Sequence, residues 1–263
     1  MLRKILSIAQ KVALSIIPIF AVILMASCAS DEKKTDSAES TFAVAQEYEK
    51  DERFEEAIKK YSDVKNKYPY SQFATKAELA IADVYYKQES YGEAQINYQT
   101  FRELHPTHPQ IDYVIFRTGL SFYQQLPETI DRDLSLANDA ITAFDEVMKR
   151  FPKSEFVNEA KEKKETSLKK LAEKEDYVGD FYFKRKIYDS ALLRYEFLVA
   201  NYPKLGLDER ALARAYFSAV KVKDRVKTKK YRDMLKTQFP DSKELTALKD
   251  AEKEAGETDR VQD

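Results

Sequence analysis

Apolar residues follow two regimes along the chain. After the basic start Met1-Leu2-Arg3-Lys4 and a further cation at Lys11, residues 12–27 run sixteen positions without a charge. Further on, the apolar positions become spaced. An alanine stands four residues before an aromatic at Ala57/Tyr61, Ala94/Tyr98, Ala140/Phe144 and Ala191/Tyr195. Eight residues after each of these aromatics comes a proline: Pro69, Pro106, Pro152 and Pro203. Upstream, a small residue precedes an aromatic by three at Ala45/Tyr48, Ala82/Tyr85, Gly119/Phe122, Gly179/Tyr182 and Ala213/Tyr216.

This pattern predicts pairs of antiparallel helices. The small residue on the first helix and the alanine on the second let the two backbones approach. The aromatic fills the wedge where they splay, and the proline, lacking an N–H, stops the second helix. A unit of about 34 residues built in this way is the tetratricopeptide repeat (TPR). The expected fold is all-α: a solenoid of five helix-turn-helix repeats. Repeat three carries extra residues at 124–135. Residues 154–185 read as one unusually long helix, which divides an N-terminal half (41–153) from a C-terminal half (154–240). Repeat five has no matching alanine and aromatic: Thr228 and Arg232 stand in those places. Residues 241–263 read as a frayed, charged tail.

The uncharged run has a different use. A basic start, an apolar stretch interrupted by Pro18 and small residues before a boundary make a signal peptide over 1–27. It is short for a spanning helix, which needs about 20 residues. Met25-Ala26-Ser27-Cys28 resembles the bacterial lipobox, with Met25 where leucine is usual, and Cys28 is the only cysteine in the chain. One cysteine makes no internal disulfide. The expectation is cleavage before Cys28, acylation of its thiol, and a polar tether over 28–40. Two or three acyl chains anchor stably where one is marginal. Ala29 rather than aspartate follows the cysteine, which points to the outer membrane and its periplasmic face. An ordinary signal peptide or an uncleaved anchor is the alternative.

Composition narrows the function. Charged residues are 34% of the chain and nearly cancel, at a formal net charge of -1, whereas a nucleic-acid binder carries a basic bias. Five Gly and eight Pro leave little turn chemistry for a β-rich fold. No phosphate-cradling loop and no nucleophile–base set can be assembled, so the chain reads as non-enzymatic and without a cofactor. His105 and His108 have no acidic or thiol ligands beside them in sequence; His105 fills the aromatic slot before Pro106, and His108 is expected in the solvent-facing turn. Asp131 and Asp133 read as solvated residues or a helix start.

A TPR array offers a concave groove lined from positions two, five, nine and twelve of each first helix. Repeat one places Glu39, Phe42, Gln46 and Glu49 there; repeat two, Lys76, Leu79, Asp83 and Tyr86; repeat three, Tyr113, Phe116, Leu120 and Tyr123. Phe42, Asp83, Tyr86, Tyr113, Phe116 and Tyr123 are the candidate contacts for an extended peptide, since rigid aromatics give area at small entropic cost. Packing of some of them beneath the insertion or a neighbouring helix is the competing reading.

A lipobox followed by TPRs, with "LHPTHPQIDY" (104–113), "DRD" (131–133) and "FDEVMKRFPKSEF" (144–156), resembles the BamD (ComL) family of outer-membrane assembly lipoproteins. The resemblance implies a non-catalytic subunit of the machinery that folds β-barrels into the outer membrane. Its implied partners are unfolded β-barrel substrates, the periplasmic repeat domains of the barrel-forming subunit, and other assembly lipoproteins. The N-terminal repeats would receive the substrate's aromatic-ended C-terminal signal. The C-terminal repeats would dock on the barrel-forming subunit, with Arg194 in the place of the family's docking arginine. Another periplasmic TPR lipoprotein, a pilotin or a cell-envelope coordination scaffold, is the alternative function; a hydrolase with a TPR accessory would need catalytic residues that the sequence does not offer.

Overall fold

The computed structural model describes residues 36–245 and 248. Cys28, the expected signal peptide and most of the tether and tail lie outside them. Ten helices stand among the described residues: α1 (Ala38–Lys50), α2 (Phe54–Lys67), α3 (Gln72–Lys87), α4 (Tyr91–Leu104), α5 (Ile111–Gln124), α6 (Leu136–Arg150), α7 (Val157–Lys184), α8 (Tyr188–Asn201), α9 (Asp208–Lys221) and α10 (Arg225–Gln238). They pair in chain order into five hairpins, and each helix packs on the one before and the one after. The fold is an all-α TPR solenoid.

The spaced small residues act as the sequence predicts. Ala45, Ala57, Ala82, Ala94, Ala140 and Ala191 are fully buried. A Cβ on Gly119 would stand 2.8 Å from the Phe144 ring, and one on Gly179 would stand 2.9 Å from the Tyr195 ring. Only hydrogen fits at these two crossings. Tyr61, Tyr98, Phe144 and Tyr195 fill the wedges. Burying each such ring contributes about 1.5–3 kcal/mol.

The turns repeat as well. Within four hairpins one residue takes the left-handed conformation: Glu52, Glu89, Lys186 and Lys223, at φ of 58–62°. The next amide closes back on the helix, as in Arg53 N–H to Tyr48 O (2.8 Å) and Ile187 N–H to Tyr182 O (3.0 Å). The five residues before the prolines end their helices at φ near -130°, the extended region that proline imposes on its predecessor.

Two features depart from regularity. The extra residues of repeat three are strapped onto α7: Lys170 Nζ donates to Pro127 O (2.8 Å) and Lys174 Nζ to Arg132 O (2.6 Å), while Leu134 is buried against Leu171. Asp133 accepts from the Ser135 amide (3.0 Å) and hydroxyl (2.8 Å), contacts that hold its carboxyl below the usual range. Helix α7 spans 28 residues. Its start gives Ala160 to the core of repeats two and three, and its end packs Tyr182 and Phe183 against the core of the last repeats. Repeat five does have its aromatic. Tyr231, one place before Arg232, is buried with Leu235 and donates to Glu196 Oε1 (2.8 Å). A shift of one residue hides it from the spacing rule.

Candidate functional site

The N-terminal repeats hold an open groove of about 550 Å³ between α1, α3 and the approach to α5. Phe42, Gln46, Phe73, Lys76, Leu79 and Asp83 line it. Phe42 rests on Tyr61 and Phe73, at ring separations of 5.1 and 5.5 Å, and stays half-buried. Lys76 places its ammonium 5.2 Å from the Phe73 ring. The groove therefore has an apolar floor with an exposed cation at its side.

Next to this floor stands a tight polar cluster. Asp83 Oδ1 accepts from the hydroxyls of Tyr98 (2.5 Å) and Tyr113 (2.7 Å). Arg117 Nε donates to the Tyr98 hydroxyl (3.1 Å), and its guanidinium lies 3.6 Å from the centre of the Tyr86 ring. Burial lifts the Asp83 carboxyl above its ordinary range, against the pull of the two hydroxyls and Arg117. Burial and then the Asp83 charge push the Tyr98 and Tyr113 hydroxyls up. Burial works against the Arg117 charge, but Tyr98 and the other hydroxyls outweigh it, and its affinity for its proton is raised. The cluster fixes Tyr113 and Tyr86 beside Asp83, the one member that lines the groove. It can offer stacking faces to an extended chain.

Of the residues singled out by sequence, Phe42, Asp83, Tyr86 and Tyr113 come together here. Tyr123 is half-buried further along α5, with the Lys163 ammonium 5.5 Å from its ring. Phe116 is a correction. It is 3% exposed, stacked on Phe156 at 5.0 Å and 15°, and belongs to the core. The cause is the turn into α7, which lays Phe156 over the place where the groove would have continued. Arg117 was missed, because it stands at position six of its helix, outside the lining register. A lone arginine within the apolar run 113–123 is the signal that marks it.

On the other half, Arg194 projects from α8 with its Nη1 donating to Glu175 Oε2 of α7 (3.2 Å). Beside it on α8, Leu193 is 63% and Phe197 47% exposed. This is a convex apolar surface with a part-exposed guanidinium. The histidines are also placed. His105 Nε2 meets Glu78 Oε2 at 2.6 Å, and its ring lies 4.7 Å from Phe101. His108 packs edge-on against Phe101 at 5.1 Å rather than pointing only to solvent, and burial lowers its proton affinity. Among the described residues no group of three or more His, Cys, Asp or Glu is arranged to hold a metal, and no helix is long and apolar enough to cross a membrane.

Fold and surfaces together define a TPR protein with an open groove in its N-terminal repeats and an apolar, arginine-bearing face in its C-terminal half. The chain belongs to the YfiO family of outer membrane lipoproteins, whose model matches residues 34–244. It is 30% identical over 219 residues to outer membrane protein assembly factor BamD of Neisseria gonorrhoeae, covering 80% of this chain and 82% of that one. The BamD of Rickettsia prowazekii is 26% identical over 191 residues, at 73% and 76% coverage. Among solved structures, the TPR2AB domain of yeast Sti1 in complex with pHSP90 aligns with a TM-score of 0.41 at 14% identity, over 83% of this chain and 82% of that one, too loose a likeness to carry an argument.

Proposed function

We propose that this chain is a non-enzymatic assembly factor for outer-membrane β-barrel proteins. The observation that carries the reading is its similarity to proteins named BamD over 80% of its length. Held by acylated Cys28 at the periplasmic face of the outer membrane, it presents two working surfaces. The N-terminal groove receives extended segments of unfolded barrels, with Phe42 as the apolar contact, Asp83 in its lining, and Tyr86 and Tyr113 in the polar cluster beside it; Tyr123, further along α5, is a candidate contact only for a segment that runs on past Phe156. Apolar side chains of such a segment find the aromatic floor, and its backbone carbonyls can reach the exposed Lys76 ammonium at the side of the groove. The convex face of α8 docks on the periplasmic repeat domains of the barrel-forming subunit through Arg194, Leu193 and Phe197. Other assembly lipoproteins complete the machine.

Affinity purification of the tagged chain from membranes tests this. A large outer-membrane barrel protein with periplasmic repeats should co-purify, and Arg194→Glu should weaken that capture. Recovery of pilus or cell-wall proteins in its place contradicts the proposal. Cys28→Ser should move the protein to the aqueous phase in detergent partitioning; retention in the detergent would mean another anchor.

A further inference from the structure

Charge is balanced in four of the five second helices and not in the fifth. In α2, α4, α6 and α8 the numbers of acidic and basic side chains differ by one. Helix α10 carries six cations (Arg225, Lys227, Lys229, Lys230, Arg232 and Lys236) against one acid, Asp233, in 14 residues. This pattern does not serve the helix. Asp224 caps it, accepting from the amides of Val226 (3.1 Å) and Lys227 (2.9 Å), but no acid stands in the first turn, and cations there oppose the helix dipole. The inward side is otherwise ordinary: Tyr231 and Leu235 are buried, and Lys227 Nζ donates to Glu196 Oε2 of α8 (2.9 Å).

Helical spacing puts Arg225, Lys229 and Lys236 on one outer stripe, and all three are exposed, as is Lys230 beside them. Lys229 binds Asp233 (2.7 Å), which still leaves the face a clear positive excess. Val226 stands among these cations and is 80% exposed. A row of flexible cations around an aliphatic side chain matches the boundary between headgroups and acyl chains of an anionic bilayer. The ammonium and guanidinium groups take the phosphates, and the valine methyls reach beneath them. An acidic protein segment would use the cations and leave Val226 without a role. The family to which the chain belongs consists of outer membrane lipoproteins, so a phospholipid surface is at hand.

We propose that the outer face of α10 is a second membrane contact, made to the anionic headgroups of a phospholipid bilayer. It goes beyond the function above, which uses none of these residues; the lipid anchor of that reading serves only to hold a weak contact at high local concentration. The test is flotation of the chain from residue 28, carrying Cys28→Ser and so free of acyl groups, with vesicles of equimolar phosphatidylcholine and phosphatidylglycerol or of phosphatidylcholine alone. The chain should float with the anionic vesicles and not with the neutral ones, and added salt should release it. Each cation near such a surface strengthens binding about fivefold, so Arg225→Gln/Lys229→Gln/Lys236→Gln should weaken it on the order of a hundredfold. Val226→Ser should weaken it severalfold. Lys59→Gln/Lys65→Gln/Lys67→Gln, which removes as much charge from α2, should leave binding intact, and every variant should keep the circular-dichroism melt of the parent. No flotation with the anionic vesicles, equal flotation with both kinds, undiminished binding of either α10 variant, or an equal loss in the α2 variant would each overturn the proposal. So would tighter binding of a labelled glutamate octapeptide than of the anionic vesicles, which would assign the face to an acidic protein segment. None of these results bears on capture of the barrel-forming subunit, which tests the proposed function separately.

Discussion

The two halves place similar residues on the same frame and satisfy them differently. Each has an acid at lining position nine (Asp83, Asp180), an aromatic at position twelve (Tyr86, Phe183), and an arginine from the following repeat stacked on that aromatic (Arg117 at 3.6 Å, Arg214 at 4.1 Å). In the N-terminal half hydroxyls bind the acid: Tyr98 and Tyr113 both donate to Asp83. In the C-terminal half cations do: Arg210 and Lys184 hold Asp180, and Tyr195 is left with an unpaired hydroxyl. The backbone repeat fixes where side chains stand, while the choice of partner decides which donors remain for a ligand. The first half is a closed hydroxyl network beside an apolar groove; the second is an ion-pair cluster that leaves a tyrosine hydroxyl unpaired.

The largest expected effect concerns alkaline pH. Burial raises the pKa of Tyr61, Tyr98, Tyr113, Tyr195 and Tyr231 above the ordinary value of 10.0. A folded pKa above the unfolded one means that these neutral hydroxyls stabilise fully below about pH 10, and that this contribution is lost as pH rises beyond it. The thermal midpoint should fall steeply above about pH 10, with tyrosinate absorbance appearing together with unfolding. Tyrosinate absorbance developing while the fold is intact would show the rings to be accessible, and would break the packing shared by both halves.

Next come the helix crossings. Gly119→Ala and Gly179→Ala should each cost about 1–3 kcal/mol by overpacking a buried ring, read from chemical denaturation. Similar losses support one packing rule on both sides of α7. A neutral result at either glycine means that its crossing relaxes. The smallest effect sharpens the contrast most. Tyr98→Phe removes a hydrogen bond to a carboxylate and should cost about 1.5 kcal/mol, whereas Tyr195→Phe removes an unpaired hydroxyl and should change stability by less than about 0.5 kcal/mol. Equal losses would show that Tyr195 has a partner after all.

Much of this was legible in the sequence. Alanine, aromatic and proline spacings set the hairpins because each position has one steric task, and the long helix was readable from the late start of repeat four. What was hidden depended on neighbours remote in sequence. Phe116 stands at a lining position, but Phe156, forty residues away, covers it. Tyr231 escaped a fixed spacing by one residue, since a helix face tolerates a shift that a count does not. Arg117 was passed over because its role depends on Tyr98, Tyr86 and Asp83 arriving from two other helices. The exposure of Leu193 and Phe197 beside Arg194 likewise follows only from how α8 packs.

The central claim is a division of labour, with unfolded barrel chains in the N-terminal groove and the barrel-forming subunit on the convex face of α8. Site-specific photo-crosslinking during barrel assembly addresses it directly. A photoreactive residue at Gln46, which lines the groove, should capture newly exported barrel proteins and not the barrel-forming subunit. The same residue at Phe197 should capture the barrel-forming subunit and not the newly exported chains. The same adducts from both positions, or the two sets exchanged, would contradict the account.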